Sequence, residues 1–149
     1  MTSIMAAGLA LGLSAIVSTA TVNHATRIDH QSGPVDVRYR GAVQISHKQV
    51  GAVTPGGRPS TLGCQWKADM IVAREAKAAS GTMLTRNFVR EGVASGNRTG
   101  WCSTHHASIA NHVARQTSDL DRHMISVAKE DHEVLRAELD RVHGAVSAG

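Results

Sequence analysis

The chain has 149 residues and a formal net charge of +4, and hydrophobic residues make up 42% of it. This length suits one small domain and excludes two large ones, and the hydrophobic content places the chain among globular proteins. Aromatic residues are only 3% of the chain, so the core must be built mainly from aliphatic side chains. Such a core buries limited area, and a covalent cross-link would stabilise it.

The first segment of the chain is apolar. Residues 4–20 carry no charged side chain, and their apolar centre over residues 4–17 has the length of a signal-peptide hydrophobic region. The small residues Ser18 and Ala20 stand at positions −3 and −1 of a cleavage site before Thr21.

These features predict a signal-peptide helix over residues 1–20, with cleavage near Ala20 and a periplasmic or secreted location. The first three residues depart from the usual pattern because they contain no Lys or Arg. The alternative is an uncleaved inner-membrane anchor through residues 4–22, a stretch of about 19 residues that is just long enough to cross a bilayer.

The chain contains two cysteines, Cys64 and Cys102. An even number of cysteines in an exported domain favours a disulfide, because the compartment is oxidising. The bond would close a loop of about 38 residues, for which the chain-entropy model gives roughly 3–4 kcal/mol of stabilisation. We therefore predict a Cys64–Cys102 disulfide; the alternative is two free thiols in a cytosolic protein.

Two stretches of strict alternation predict β-strands with one buried face and one solvent face. We call the alternate positions that face the core the buried parity of a strand, and those that face solvent the solvent parity. The buried parity of the first strand comprises Val35, Val37, Tyr39, Gly41, Val43, Ile45 and His47. The buried parity of the second strand comprises Cys64, Trp66, Ala68, Met70 and Val72. In the second strand, Ile71 is an apolar residue on the solvent-facing side. In the first strand, Gly41 predicts a bulge or a bend.

The rest of the strand region is less regular. Residues 21–34 are polar and predict a flexible lead, and the Pro and Gly content of residues 54–60 predicts a loop. Residues 82–93 predict either a third strand or a short helix, and residues 94–100 predict another loop.

From Ser103 the hydrophobic period changes to that of a helix. An apolar stripe is formed by Leu120, Met124, Val127, Ala128, Leu135, Leu139 and Val142. Either two helices meet near Thr117, or one long helix runs from Ser103 to about His143, before a tail over residues 144–149. We favour two helices or one helix with a kink. We predict an α+β fold in which residues 35–143 form one domain, with an antiparallel sheet of about three strands packed against the helical segment.

The charges are distributed unevenly. Residues 119–141 carry seven acidic and four basic side chains, so the strand region is basic. Arg38, Arg40 and Lys48 share the solvent parity of the first strand, which predicts a weak anion-binding surface. The alternative is an ordinary solvated sheet face.

For an exported protein, the partners that suit a basic face are an anionic envelope component, such as a polymer or phospholipid headgroups, or another envelope protein. We expect no nucleic-acid partner, because an exported chain rarely meets one.

Residues 100–112 concentrate Cys102 and three histidines, which raises the question of a metal site or a catalytic centre. No two histidines in the helical segment stand three or four residues apart, the spacings at which helical side chains meet. Only Cys102 with His105 and His106 has ligand spacing, and that cluster requires a free thiol.

The sequence contains no nucleophile elbow, dinucleotide-binding turn or zinc-protease pair. We predict no catalytic residue and no cofactor. The predicted function is that of an exported, disulfide-stabilised binding or accessory protein. The alternative is a metal-binding protein or an enzyme that uses Cys102, His105 and His106.

Overall fold

A computed structural model of the protein describes residues 20–147, with side-chain surroundings through residue 145. Four antiparallel strands form one sheet in the order β1–β2–β3–β4, and the helical segment follows them. The elements are β1 Ala20–His30, β2 Gly33–Val50, β3 Gly63–Lys77, β4 Met83–Thr99, a 3-10 turn Cys102–Thr104, α1 His106–Ala114 and α2 Thr117–Ser147. The α+β class and the antiparallel sheet are confirmed.

The predicted signal-peptide helix falls almost wholly on residues 1–19, outside the described residues. Within residues 20–147, no helix combines the length and the apolar character that a membrane crossing requires.

The sheet has four strands rather than three. The additional strand is β1, which lies in the segment predicted as a flexible lead and pairs with β2 over its whole length, from Ala20 opposite Val43 to His30 opposite Gly33. Only Val22 and Ile28 of β1 are buried. β1 is held in the sheet mainly by its backbone hydrogen bonds to β2. Because it contributes so few apolar side chains to the core, the hydrophobic pattern of the sequence did not predict it as a strand.

The segment 82–93, predicted as a strand or a short helix, belongs to β4 from Met83 onward. This strand continues to Thr99 and so includes most of the predicted loop over residues 94–100. The register of β3 and β4 shifts between Ala68 and Met70, where Gly92 adopts a φ of 64° and its N–H donates to Asp69 Oδ1 at 2.8 Å. This bulge lets the irregular sequence stay in the sheet.

Gly41 lies in regular register between Val22 and Val72, so the predicted bulge is absent at this position of β2. A Cβ atom at Gly41 would stand 2.7 Å from the Met124 Cε atom of α2. The glycine is therefore needed because the helix approaches the strand closely.

The helical segment consists of two helices, separated at Arg115 and Gln116. α2 continues to Ser147, so four of the six residues predicted as a tail over residues 144–149 are helical at the level of the backbone. Both helices cover the same face of the sheet, where the alternating residues of β2 and β3 form the core with Ile109 and Val113 of α1. The other side of the sheet, which the described helices leave uncovered, is called the open face below.

Candidate functional site

Cys64 and Cys102 form the predicted disulfide, with their Cα atoms 4.8 Å apart. The bond joins the start of β3 to the 3-10 turn that precedes α1. Gln49 reinforces the junction: its Oε1 accepts from the Cys102 N–H at 2.7 Å, and its Nε2 donates to the carbonyls of Gly63 and Gly100. The sulfur of Cys102 is therefore committed to a structural bond.

The histidines of residues 100–112 point to different neighbours. His105 Nε2 lies 2.7 Å from the Thr99 carbonyl oxygen, and the His106 ring packs on His47 with centroids 4.2 Å apart. Within residues 20–147, no group of three or more His, Cys, Asp or Glu side chains is placed to hold a metal ion. The alternative built on Cys102, His105 and His106 therefore lacks both the free thiol and the convergence of ligands that it requires.

Arg38, Arg40 and Lys48 are exposed on the open face of β2, and no salt bridge joins any of them to the described part of the chain. Arg38 and Arg40 are about 7 Å apart along the strand, while Lys48 lies about 26 Å beyond Arg40, at roughly 3.3 Å per residue. The structure therefore places the three residues in an extended row, which is too long to surround one small anion.

The cross-strand neighbours of these cations differ. Arg38 is paired in register with Glu75, whereas Arg40 faces Ala73 and Lys48 faces Gln65. A carboxylate opposite a cation offsets its charge. Arg40 and Lys48 are therefore the least compensated of the three positions.

The helix-covered face contains a buried ionic network that the sequence analysis missed. Arg74 of β3 is fully buried, and its Nε donates to Asp131 Oδ2 of α2 at 2.9 Å. Tyr39 donates to the same carboxylate oxygen at 2.9 Å, Arg86 donates to Oδ1 at 2.6 Å, and Arg74 Nη1 reaches Glu138 at 2.9 Å. The network thus connects three strands to one helix.

The protonation states of the network follow from these contacts. Burial by itself raises the pKa of the Asp131 carboxyl, but hydrogen bonds from Arg86, Arg74 and Tyr39 outweigh it and lower the pKa below its ordinary value. Burial lowers the pKa of Arg74, but bonds to Glu138 and Asp131 raise it overall. Burial, and then the bond to Asp131, raises the pKa of the Tyr39 hydroxyl. The network is therefore charged at neutral pH.

A signal for this network was present in the sequence. Arg74 stands on the buried parity of β3, two residues after Val72, and Asp131 lies four residues from both Val127 and Leu135 in the apolar stripe of α2. Opposite charges on two buried faces indicate a buried pair, because a lone buried charge is strongly unfavourable.

A second polar cluster, which we call the hairpin-end cluster, consists of His30, Ser32 and Asp140. His30 ends β1, Ser32 lies in the following turn, and Asp140 belongs to α2. His30 Nδ1 is 2.6 Å from Ser32 Oγ, and His30 Nε2 is 2.8 Å from Asp140 Oδ1. No local sequence pattern predicts this cluster, because the histidine and the aspartate are 110 positions apart.

The hairpin-end cluster borders a cavity of about 310 Å³. Ser32, Ser80 and His143 supply polar atoms, and Ala78, Ala79, Leu139 and Val142 form the apolar wall. The cavity lies between the β1–β2 turn, the β3–β4 turn and the last turns of α2.

Comparison of the chain with protein-family models, with curated proteins and with solved structures finds no match.

Proposed function

We propose that this protein is an exported binding module, stabilised by its disulfide, that holds an extended anionic polymer of the cell envelope along β2 of the open face. The observation that carries this proposal is the row of Arg38, Arg40 and Lys48, which is exposed and makes no salt bridge within residues 20–147. The proposal combines a location, an exposed surface and a ligand chemistry, and each has its own support.

Export is supported by the disulfide and by the position of β1. Disulfides persist mainly in oxidising compartments. Cleavage after Ala20 would remove only the first residue of β1 and leave the pairs from Thr21 opposite Ala42 onward intact. A mature chain beginning at Thr21 would therefore retain all four strands and every β1–β2 pair except Ala20 with Val43.

The charge distribution supports a surface confined to the open face. Arg74, Arg86 and Arg90 belong to the strands but form ion pairs with Asp131 and Glu130 of α2. The acidic helix thus offsets much of the basic character of the covered face. The cations without a salt bridge on β2 remain available to a ligand.

The extent of the row supports a polymer as the ligand. Arg38 and Lys48 are ten residues apart on one strand, about 33 Å at the usual rise of a β-strand. A small anion reaches only one end of this row, whereas a linear polyanion spans it. Binding that depends on separate exposed cations is also sensitive to salt, because the Debye length is about 8 Å at physiological ionic strength.

Export is tested by the intact mass of the protein recovered from the periplasm or the medium. We expect a chain that begins at or near Thr21 and contains one disulfide. A product that retains residues 1–20 in the membrane fraction would favour the anchor instead.

The binding surface is tested by retention on an immobilised anionic envelope polymer at increasing salt. The double variant Arg40→Glu/Lys48→Glu should lose retention at low salt, since both cations become repulsive. The matched control Arg115→Glu/Lys129→Glu also replaces one arginine and one lysine and changes the net charge equally, at exposed positions in the helical segment rather than on β2, and it should keep most of the retention.

Equal loss in both double variants would mean that net charge alone is responsible, and no retention of the wild type would refute polymer binding. Retention on anionic phospholipid vesicles but not on polymer would assign the row to a membrane surface instead.

A further inference from the structure

We propose that Ser32 is a nucleophile, that His30 is the base that activates it, and that Asp140 orients His30. The reaction of this hairpin-end cluster is the hydrolysis of esters, in which a short apolar acyl group passes from the ester to Ser32 and then to water. This inference is independent of the open face, which lies on the other side of the sheet. It rests on the geometry of the three side chains, on the turns that hold them and on the adjoining cavity.

The hydrogen bonds assign the tautomer of His30. The Ser32 backbone N–H donates to His30 Nδ1 at 3.1 Å, and an amide can only donate, so Nδ1 carries a lone pair. The proton of the neutral ring is then on Nε2, which donates to Asp140 Oδ1 at 2.8 Å. The one lone pair of Nδ1 is therefore shared between the Ser32 backbone N–H and the Ser32 hydroxyl, whose Oγ lies 2.6 Å away.

This arrangement fulfils the two contacts required of an activated serine. The nucleophile lies within hydrogen-bond distance of a base, and a carboxylate orients that base. The imidazole uses Nδ1 toward the serine and Nε2 toward the carboxylate. In either tautomer the nitrogen without a proton can act as the base, and here that nitrogen is Nδ1.

The turns of the two hairpins fix Ser32 in place. Gly33 has a φ of 122°, and a Cβ atom on it would approach Ala79 Cβ to 2.7 Å, so the β1–β2 turn rests directly on the β3–β4 turn. The His30 side chain is only 6% exposed, and the His143 ring meets it edge-on with centroids 6.0 Å apart. A base held in this way has few alternative orientations.

The cavity beside Ser32 suits a small acyl group. Its volume is about 310 Å³, and four of its lining residues are Ala78, Ala79, Leu139 and Val142. Ala79 and Ser80 are the central residues of a turn that closes through Gly81 N–H and the Ala78 carbonyl, and such a turn does not use its two central N–H groups. These amides belong to residues that line the same cavity as Ser32, so they are our candidates to stabilise a developing oxyanion.

The reaction balances with an ester and water alone. Ser32 Oγ bonds to the carbonyl carbon while its proton passes to His30 Nδ1, and Asp140 stabilises the imidazolium. Collapse of the tetrahedral intermediate breaks the ester bond, and the departing alkoxide takes the proton from Nδ1 to leave as the alcohol. Water then attacks the acyl-serine with His30 as base, releasing the acid and restoring the Ser32 hydroxyl.

A purely structural role for the cluster makes a different prediction. The His30–Asp140 contact joins the first hairpin to α2, so its loss lowers stability whether or not Ser32 is reactive. Reactivity of Ser32 toward an electrophile is the property that a structural contact does not confer. The test therefore measures where a serine-directed reagent becomes attached.

The experiment treats the folded, disulfide-bonded chain with a fluorophosphonate probe and maps the adduct by peptide mass spectrometry. We expect labelling at Ser32 and none at Ser80, a serine that lines the same cavity. Denatured wild-type protein should not be labelled. His30→Gln should slow the labelling by roughly 10²-fold or more, the usual contribution of a general base.

Two further measurements refine the assignment. Asp140→Asn should slow labelling less than His30→Gln, because the Asp140 side chain is 62% exposed and water partly replaces it. Incubation with p-nitrophenyl butyrate should give a butyryl adduct on Ser32, and Ser32→Ala, which retains the His30–Asp140 contact, should give none.

The proposal is overturned if folded wild-type protein is not labelled, or if Ser32 and Ser80 are labelled alike. Undiminished labelling of folded His30→Gln would also overturn it. If His30→Gln does not fold, the contrast between Ser32 and Ser80 in the wild type, together with the loss of labelling on denaturation, decides the question.

Discussion

The two helices are attached to the same sheet by different means. α1 has nine residues and buries only Ile109 and Val113, and the Cys64–Cys102 disulfide stands immediately before it. α2 has 31 residues, buries an apolar stripe and adds the Arg74–Asp131 network at its centre. A short helix offers too little apolar area to dock securely, so a covalent bond at its start compensates, whereas a long helix can also accommodate buried charge.

The comparison also separates two kinds of specificity. The disulfide restricts the unfolded chain and fixes where the helical segment begins. The network fixes the register of α2 on the sheet, because Asp131 must meet Tyr39, Arg74 and Arg86 together. A shift of α2 by one turn would leave the buried Arg74 without its carboxylate partners.

The largest expected effect comes from breaking the network at its centre. Asp131→Ala removes the carboxylate that accepts from three side chains and leaves Arg74 buried, which should destabilise the fold by about 3–5 kcal/mol. Glu130→Ala is the matched control: this neighbouring residue is 60% exposed and pairs with Arg90, so its loss should cost about 0–1 kcal/mol. Chemical denaturation at pH 7 measures both, and equal losses would contradict a special role for Asp131.

Breaking the disulfide should have the next largest effect. For a loop of 38 residues, the chain-entropy model gives roughly 3–4 kcal/mol, which corresponds to a Tm lower by about 10–20 °C. Thermal unfolding with and without reductant measures the shift. The Cys64→Ser/Cys102→Ser variant should melt like reduced wild type and should not respond to reductant. A Tm that reduction leaves unchanged would show that α1 docks without the bond.

Replacing a glycine beneath each helix by alanine should have a smaller effect on stability, and the loss should differ between the two sites. A Cβ atom at Gly96 would meet the Trp66 ring, which contacts His112 of α1, at 2.8 Å, and the indole cannot bend away. Gly96→Ala should therefore cost about 1–3 kcal/mol. At Gly41 the added Cβ atom would meet Met124 Cε at 2.7 Å and Met70 Sδ and Cγ at 2.9 and 3.0 Å. Gly41→Ala should cost less than Gly96→Ala, because the unbranched methionine side chains can change rotamer and the indole cannot.

Gly144→Ala is the control for this pair, since its Cβ atom would meet nothing within 4 Å. It should be neutral or stabilising by up to about 1 kcal/mol through helix propensity. Chemical denaturation of the three variants gives the order, and a larger loss for Gly41→Ala than for Gly96→Ala would contradict the assignment.

The smallest expected effect is a difference in acid sensitivity between the two attachments. Burial, and then the neighbouring His106, lower the pKa of His47 below its ordinary value of 6.5. The neutral ring therefore contributes stability that is complete above about pH 6.5 and is lost as the pH falls below it. The pKa of Asp131 is lowered as well, so its contribution is complete above about pH 4 and is lost only in stronger acid.

Amide hydrogen exchange across the acidic range tests this order. Protection should decrease in α1 first and in α2 only at lower pH. His47→Gln should remove the first step and leave the second unchanged. Simultaneous loss of protection in both helices would show that the attachments do not open separately.

The sequence predicted those elements whose residues alternate or repeat within a short window. The buried parities of β2 and β3, the loop over residues 54–60 and the change to helical periodicity after Ser103 are all local patterns. The disulfide was predictable because two cysteines allow only one intramolecular pair. β1 was not predictable in this way, since its eleven residues bury only Val22 and Ile28 and its conformation depends on the ladder with β2.

The sequence by itself determined which faces of the strands are apolar, which cysteines pair and where helices replace strands, because these properties depend on side chains a few positions apart. Only the tertiary structure decided that Arg74 meets Asp131, that Gly41 makes room for Met124, and that His30 and Ser32 meet Asp140. Each of these contacts joins a strand or its turn to α2 across more than fifty residues. Their geometry depends on how the helix crosses the sheet, and no local pattern specifies that crossing.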